Sequence, residues 1–207
     1  MNSDNDSINS LHGDNVTNSY DFSKKPSNDF ASFFSETIET IITTVVILLV
    51  LNFWVAFPEV VSGASMEPGI TNGERIYVER LTKHFSGFSR GDIVVLNPPG
   101  NDREDYIKRI IALPGEIINI SDCEILITSN AQKFKLDEPY LADGVCTQGG
   151  NSIKEGRALK LKDNEYVLLG DNRPRSVDSR VFGPVTSDRI KGKLFLRFWP
   201  PAQFTIY

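Results

Sequence analysis

Ser65 stands in VSGASMEPGI (61–70), among the small residues that let another backbone approach a hydroxyl closely. A serine becomes a nucleophile only when a base removes its proton. The usual base is histidine, and the chain has two. His12 lies in a polar N-terminal stretch, and His84 sits in LTKHFSGFSRGD, which reads as a loop bounded by serine and glycine. A Ser-His-Asp triad therefore rests on His84 alone. Lysine is the alternative, provided that it is neutral at working pH. With an ordinary pKa of ~10.4, only about one lysine in 2,500 is uncharged at pH 7. Burial among apolar groups lowers that pKa by roughly 3–5 units, which makes lysine a competent base. Lys108 in YIKRIIALPG has such a setting, because at period two it shares a strand face with Tyr106, Ile110 and Ala112. Its neighbour Arg109 faces the other way and keeps its proton. On the pattern alone two readings of Lys108 stand: a base, and a strand-end lysine whose ammonium reaches solvent.

A third stretch, LLGDNRPRSVDSRVFGPV (168–185), runs from a strand into Gly-Asp-Asn, which is turn chemistry, and then into a polar cluster. Asp178 and Arg180 are two apart and point the same way if the segment is extended, with Ser176 two residues earlier. The bland alternative is a solvated loop.

These side chains need elements to carry them. Residues 1–32 are rich in Asn, Ser and Asp and poor in aliphatics, so the reading is a disordered tail extending to residue 36. TIETIITTVVILLVLNFWVAF (37–57) follows, apolar all round from Ile41 onward. A span of about 20 such residues crosses a hydrocarbon core of roughly 30 Å. Trp54 and Phe57 fall where an interfacial aromatic belt lies, and Pro58 is expected to stop the helix. Small residues in SGA (62–64) also suit a leader-peptidase cleavage site, but the length of the apolar run favours an uncleaved anchor. Lys24 and Lys25 precede the span, whereas Glu59, Glu67 and Glu74 come before the first basic residue after it, Arg75. This asymmetry predicts a single-pass protein of the cell membrane with a cytoplasmic N-terminus and an extracytoplasmic C-terminal domain (58–207).

That domain reads as mostly β. RIYVER, DIVVLN, YIKRIIAL, EIINI, EILITS, ALKLK, EYVLLG and KLFLRFW are short strands separated by turn residues. Residues 121–158 are more irregular and read as an insertion between core strands. A net charge of −5 argues against nucleic acid as a partner. The two cysteines, Cys123 and Cys146, fit no metal pattern, and no cofactor is expected. Both follow the apolar run, so a disulfide and two buried free thiols remain open alternatives.

Taken together, these stretches resemble the type I signal peptidases, membrane-anchored Ser-Lys proteases that remove signal peptides from exported proteins. The likeness runs from the apolar span to about residue 200, in the family's order. SGASMEP resembles the nucleophile box, implying Ser65 as nucleophile and Met66 as a pocket residue. RGDIVVL is similar to a structural strand of the family, and YIKRIIALPGE to the lysine box, implying Lys108 as general base. GDNRPRSVDSRVFG resembles the last box, implying Ser176 as hydrogen-bond partner of the lysine, with Asp178 and Arg180 as a supporting ion pair. The family's catalytic domain is mostly antiparallel β. Its partners are signal peptides and the lipid bilayer, and its cut follows small residues at −1 and −3. Met66, Tyr106 and Ile107 are the apolar residues expected to line those pockets here.

Two departures from the family pattern stand out. Gly69 follows Pro68 where threonine is usual, and Gly63 sits two before the nucleophile, as in the smaller Gram-positive-type enzymes. The Ser65 backbone N–H is then left with more of the oxyanion work. Two rival readings stand beside this one. A self-cleaving repressor-type peptidase uses the same dyad but starts with a DNA-binding domain. An anchored β-domain that only binds partners would need no base near Ser65.

Overall fold

The computed structural model describes residues 29–207, so the stretch expected to be a disordered tail lies largely outside the described residues. The chain separates into a first unit ending at Val46 and a second, Ile47–Tyr207. Helix α1 (Asp29–Val55) starts ahead of Thr37. Its section Ser32–Val50 has a mean hydropathy of 1.8 with none of its surface buried by protein, long and apolar enough to cross a membrane. The helix stops at Val55 rather than at Pro58. Ala56 and Phe57 already belong to strand β1 (Ala56–Val60), where Pro58 is tolerated because β1 is an edge strand.

The second unit is two antiparallel sheets, as expected for a mostly β domain. The larger holds β1, β2 (Arg75–Glu79), β3 (Ile93–Leu96), β4 (Tyr106–Ala112), β9 (Glu165–Leu169), β10 (Val185–Thr186), β11 (Ile190–Trp199) and β12 (Thr205–Ile206). Its order is β1-β2-β11-β3-β4-β9-β10, with β12 also paired to β11. The smaller sheet holds β5 (Ile117–Ser121), β6 (Glu124–Ser129), β7 (Gln132–Lys135) and β8 (Leu159–Lys160), in the order β7-β6-β5-β8. Because β4 pairs with β9, everything between them is one excursion. The insertion therefore spans 117–160 rather than 121–158: β5, which reads in sequence as a core strand, pairs only with β6 and β8.

Alternation of branched apolar residues explains the strands. In β5 and β6 every second residue is buried, and Ile118, Ile120, Ile125 and Ile127 face Ile111, Val167 and Leu169 of the larger sheet. β3 is buried on both faces. Ile93 and Val95 join one cluster with Ile76, Val78, Met66 and Ile70, while Val94 and Leu96 join another with Ile110 and Leu168. A register shift between Ile110 and Ala112 in β4 splits the face expected to be continuous: Tyr106 and Ile110 pack in one cluster and Ala112 between the sheets. Two short helices complete the domain, α2 (Leu81–Phe85) and α3 (Ser179–Phe182).

Candidate active site

Ser65 lies in the loop joining β1 to β2, and that loop is fastened at several points. Val61 N donates to Glu74 O at 2.9 Å and Gly73 N to Val61 O at 2.8 Å, closing its base. Glu74 is 2 % exposed, and both its carboxylate oxygens accept from Arg197 Nη1, which also donates to Gly69 O. Met66 and Ile70 anchor the middle of the loop in the core. The turn after β9 grips Ser65 itself. Asn172 N donates to Ser65 O, and Asn172 Nδ2 to Ala64 O, each at 3.0 Å. The approach leaves no space at Gly170: a Cβ there would fall 2.5 Å from Ser65 O and 2.3 Å from Ser176 Oγ. Only glycine fits.

β4 brings Lys108 to this point. Its Nζ donates to Ser65 Oγ at 2.8 Å and to Ile107 O at 2.9 Å, and lies 5.1 Å from the Tyr106 ring centroid. Lys108 is 3 % exposed. Burial, which disfavours the ammonium, lowers its pKa to about 8, against an opposing pull from the Asp178 and Asp171 carboxylates. At pH 7 roughly one Lys108 in ten is then neutral, against roughly one in three thousand for an ordinary lysine.

Both of those carboxylates are held by arginines. Asp178 is fully buried. It accepts from Arg180 Nε and Nη2, each at 2.8 Å, and from the backbone of Gly170 and Arg180. The segment is not extended there, because Asp178 caps the start of α3. Asp171 takes a two-point fork from Arg109 at 2.9 and 2.7 Å, and the guanidinium stacks 4.0 Å from the Tyr140 ring centroid. Sequence reasoning read Asp171 and Asn172 only as turn residues and Arg109 only as an unusable base. Nothing in a single sequence pairs them.

The structure departs from three expectations. Ser176 lies against Gly170, but its buried Oγ makes no hydrogen bond among the described residues, so the expected bond to Lys108 is not formed. Two of the three Lys108 N–H donors go to Ser65 and Ile107. Met66 does not line the cleft. At 1 % exposure it packs in the cluster behind Ile76, Val95 and Ile107, which do line it. His84 is exposed on α2, a short helix rather than a loop.

The cleft at Ser65 and Lys108 has a volume of about 540 Å³. Its wall includes Ile76, Val95, Tyr106 and Ile107, and residues 59–64 run along its rim. Strands β1 and β4 both contribute although β2, β11 and β3 lie between them, so the sheet curls around the cleft. Geometrically, this is a hydroxyl in contact with an amine of lowered basicity, opening on a cleft of mixed lining, in which Glu59, Glu104, Asp105 and Arg175 accompany the apolar wall.

Comparison with known proteins places the chain in a family. Residues 34–199 match the model of the family described as signal peptidase, peptidase S26. Signal peptidase IB of Staphylococcus aureus is 33 % identical over 180 residues, covering 82 % of this chain and 91 % of the relative. A probable signal peptidase I-2 of Synechocystis is 31 % identical over 183 residues, covering 86 % and 79 %. A crystal structure of a signal peptidase I from Enterococcus faecalis, 29 % identical, aligns over 53 % of this chain and 97 % of its own with a TM-score of 0.43. With most of the chain matched by the family and by relatives above 30 % identity, the chain belongs to the signal peptidase family, peptidase S26.

Proposed function

We propose that this chain cleaves signal peptides from exported proteins, with Ser65 as nucleophile and Lys108 as general base. The observation that carries the reading is the 2.8 Å contact between Lys108 Nζ and Ser65 Oγ, made by a lysine whose pKa is lowered to about 8. When Lys108 is neutral the same contact reverses, and the serine hydroxyl donates to the amine lone pair. Ser65 Oγ then attacks the scissile carbonyl carbon as its proton passes to Lys108. The oxyanion is met by the Ser65 backbone N–H, since Gly63 offers no side-chain donor. The Lys108 ammonium returns the proton to the departing amine, leaving an acyl-Ser65 ester. A water deprotonated by Lys108 hydrolyses it.

The supporting residues act on that lysine. Asp178, clamped by Arg180, and Asp171, clamped by Arg109, stabilise the ammonium that forms during attack. Without their arginines they would hold Lys108 charged more strongly. Ser176 lies buried beside Gly170, with its hydroxyl unpartnered among the described residues. Specificity follows from the wall of Ile76, Val95, Tyr106 and Ile107. In an extended substrate −1 and −3 point the same way, so one shallow apolar wall reads both. Large side chains overlap that wall, and charged ones lose solvation against it, while Glu59, Glu104, Asp105 and Arg175 line other parts of the cleft. The anchor is α1, with residues before it in the cytoplasm and the catalytic unit outside.

The test is preprotein cleavage by the full chain in detergent. Ser65→Ala, Lys108→Met and Lys108→Arg each lose at least about a thousandfold in kcat, since arginine cannot release its proton. His84→Ala stays near wild type. More than a tenth of wild-type turnover in either lysine variant would remove Lys108 as the base.

A further inference from the structure

The turn that grips Ser65 is itself fastened from the excursion between β4 and β9, through Arg173. This residue is 2 % exposed. Its Nε donates to Gly170 O at 3.0 Å, its Nη1 to Thr147 Oγ1 and to Glu138, and its Nη2 pairs with Glu138. Its carbonyl accepts from Arg180 Nη2 at 2.7 Å. Arg173 thus joins the support of the nucleophile to residues 136–158, a stretch with no strand or helix of its own.

That stretch is tied down covalently. Thr147 is 1 % exposed, and the residue before it, Cys146, is bonded to Cys123 with a Cα separation of 4.5 Å. Cys123 sits in the two-residue turn between β5 and β6, where Asp122 and Cys123 have φ of 54° and 66° and the strands pair on both sides. It is a firm anchor point. The tied stretch also packs directly on Arg180: Ser152 N donates to Arg180 O at 2.8 Å, and a Cβ on Gly150 would fall 2.4 Å from that oxygen.

We propose that the Cys123–Cys146 disulfide is a positioning element for Ser65, acting through Thr147 and Arg173, so that turnover depends on its oxidation state. The proposal rests on Ser65 as nucleophile. Cutting the bond frees Thr147 from the hairpin, loosens Arg173, and with it the turn whose Asn172 holds Ser65 and Ala64. Small displacements of a reacting group cost rate steeply. The apolar wall that meets the substrate comes from β2, β3 and β4, which the change does not touch. Ala64, Arg175 and Val177 of the loosened segments also line the cleft, so the effect falls mainly on kcat, with a smaller change in KM. Chemically, a dithiol reductant supplies two electrons and two protons, the disulfide becomes two thiols, and the reductant is oxidised to its own disulfide.

The experiment measures kcat and KM for a preprotein with the full chain in detergent. The protein is taken oxidised, and after reduction with dithiothreitol and alkylation. Thr147→Val and Thr147→Ser are measured with the disulfide intact. Reduction is expected to lower kcat by about tenfold with KM within about twofold. Thr147→Val should show a similar loss, Thr147→Ser should recover most of it, and reducing the Thr147→Val protein should add little. An unchanged kcat on reduction overturns the proposal, and so does wild-type kcat in Thr147→Val. Fully additive losses overturn it too, because the bond then acts without Thr147. If circular dichroism shows that reduction unfolds the domain, the two Thr147 variants decide alone. Cleavage by a Ser65→Ala protein would overturn the nucleophile and the relay together, whereas redox-insensitive turnover overturns the relay only.

Discussion

Lys108 is an expensive residue for this fold to keep. The drop from an ordinary 10.5 to about 8 corresponds to about 3 kcal/mol of disfavoured burial when the side chain is charged. The sign follows from proton counting. Between pH 8 and 10.5 the unfolded chain binds the proton that the folded chain has released, so stability rises with pH across that window. The penalty is present in full below pH 8. Lys108→Met, which fills a similar volume without a charge, should therefore raise the unfolding free energy at pH 7 by up to about 3 kcal/mol. The gain should shrink toward pH 10.5. Chemical denaturation of both proteins across that range checks it; a variant less stable than wild type at pH 7 would mean the ammonium is well accommodated. A proposed base that destabilises its own fold is the expected trade between stability and activity.

At the level of elements, the site depends on two loops from distant parts of the chain meeting without spare room. Gly170→Ala should move either the Ser65 carbonyl or Ser176, since neither position leaves space for a methyl. Crowding of this kind typically costs about 1–3 kcal/mol, and here the displacement falls on the nucleophile. The variant should lose at least about tenfold in kcat while unfolding cooperatively, and near-wild-type turnover would show that the turn adapts. The same meeting of loops explains what a sequence can and cannot display. Branched apolar alternation makes EILITS legible as a strand, and the structure has β6 over the same residues, Glu124–Ser129. β1 is hidden because AFPEV continues an apolar helix and contains proline, which reads as a stop but sits harmlessly on an edge. β7 is hidden because QKFK is exposed throughout and has no alternation. Lys108 is visible because a lysine among isoleucines and a tyrosine is out of place. Asp171 and Asn172 are not, because their partners Arg109 and Ala64 lie 62 and 108 residues away. Met66 misleads for a related reason: proximity to the nucleophile in sequence says nothing about which way the side chain turns.

For the whole molecule, an apolar helix long enough to cross a membrane precedes the β-domain along the chain. Only five residues of helix separate Val50, the end of the apolar section, from β1. The orientation proposed here has a direct check: protease added to right-side-out vesicles should digest the catalytic unit and spare only a fragment containing the N-terminal tail and α1. A protected catalytic unit would reverse the orientation. The central claim, however, is the neutral lysine, and its most direct test is the pH dependence of preprotein cleavage by the full chain in lipid vesicles. The measurement is kcat/KM from pH 6 to 10. It should rise about tenfold per pH unit at the acid end and level off above an apparent pKa near 8, the value to which burial lowers Lys108. A rate that stays flat across that range, or one that falls as the pH rises through 8, would contradict a mechanism in which uncharged Lys108 takes the proton from Ser65.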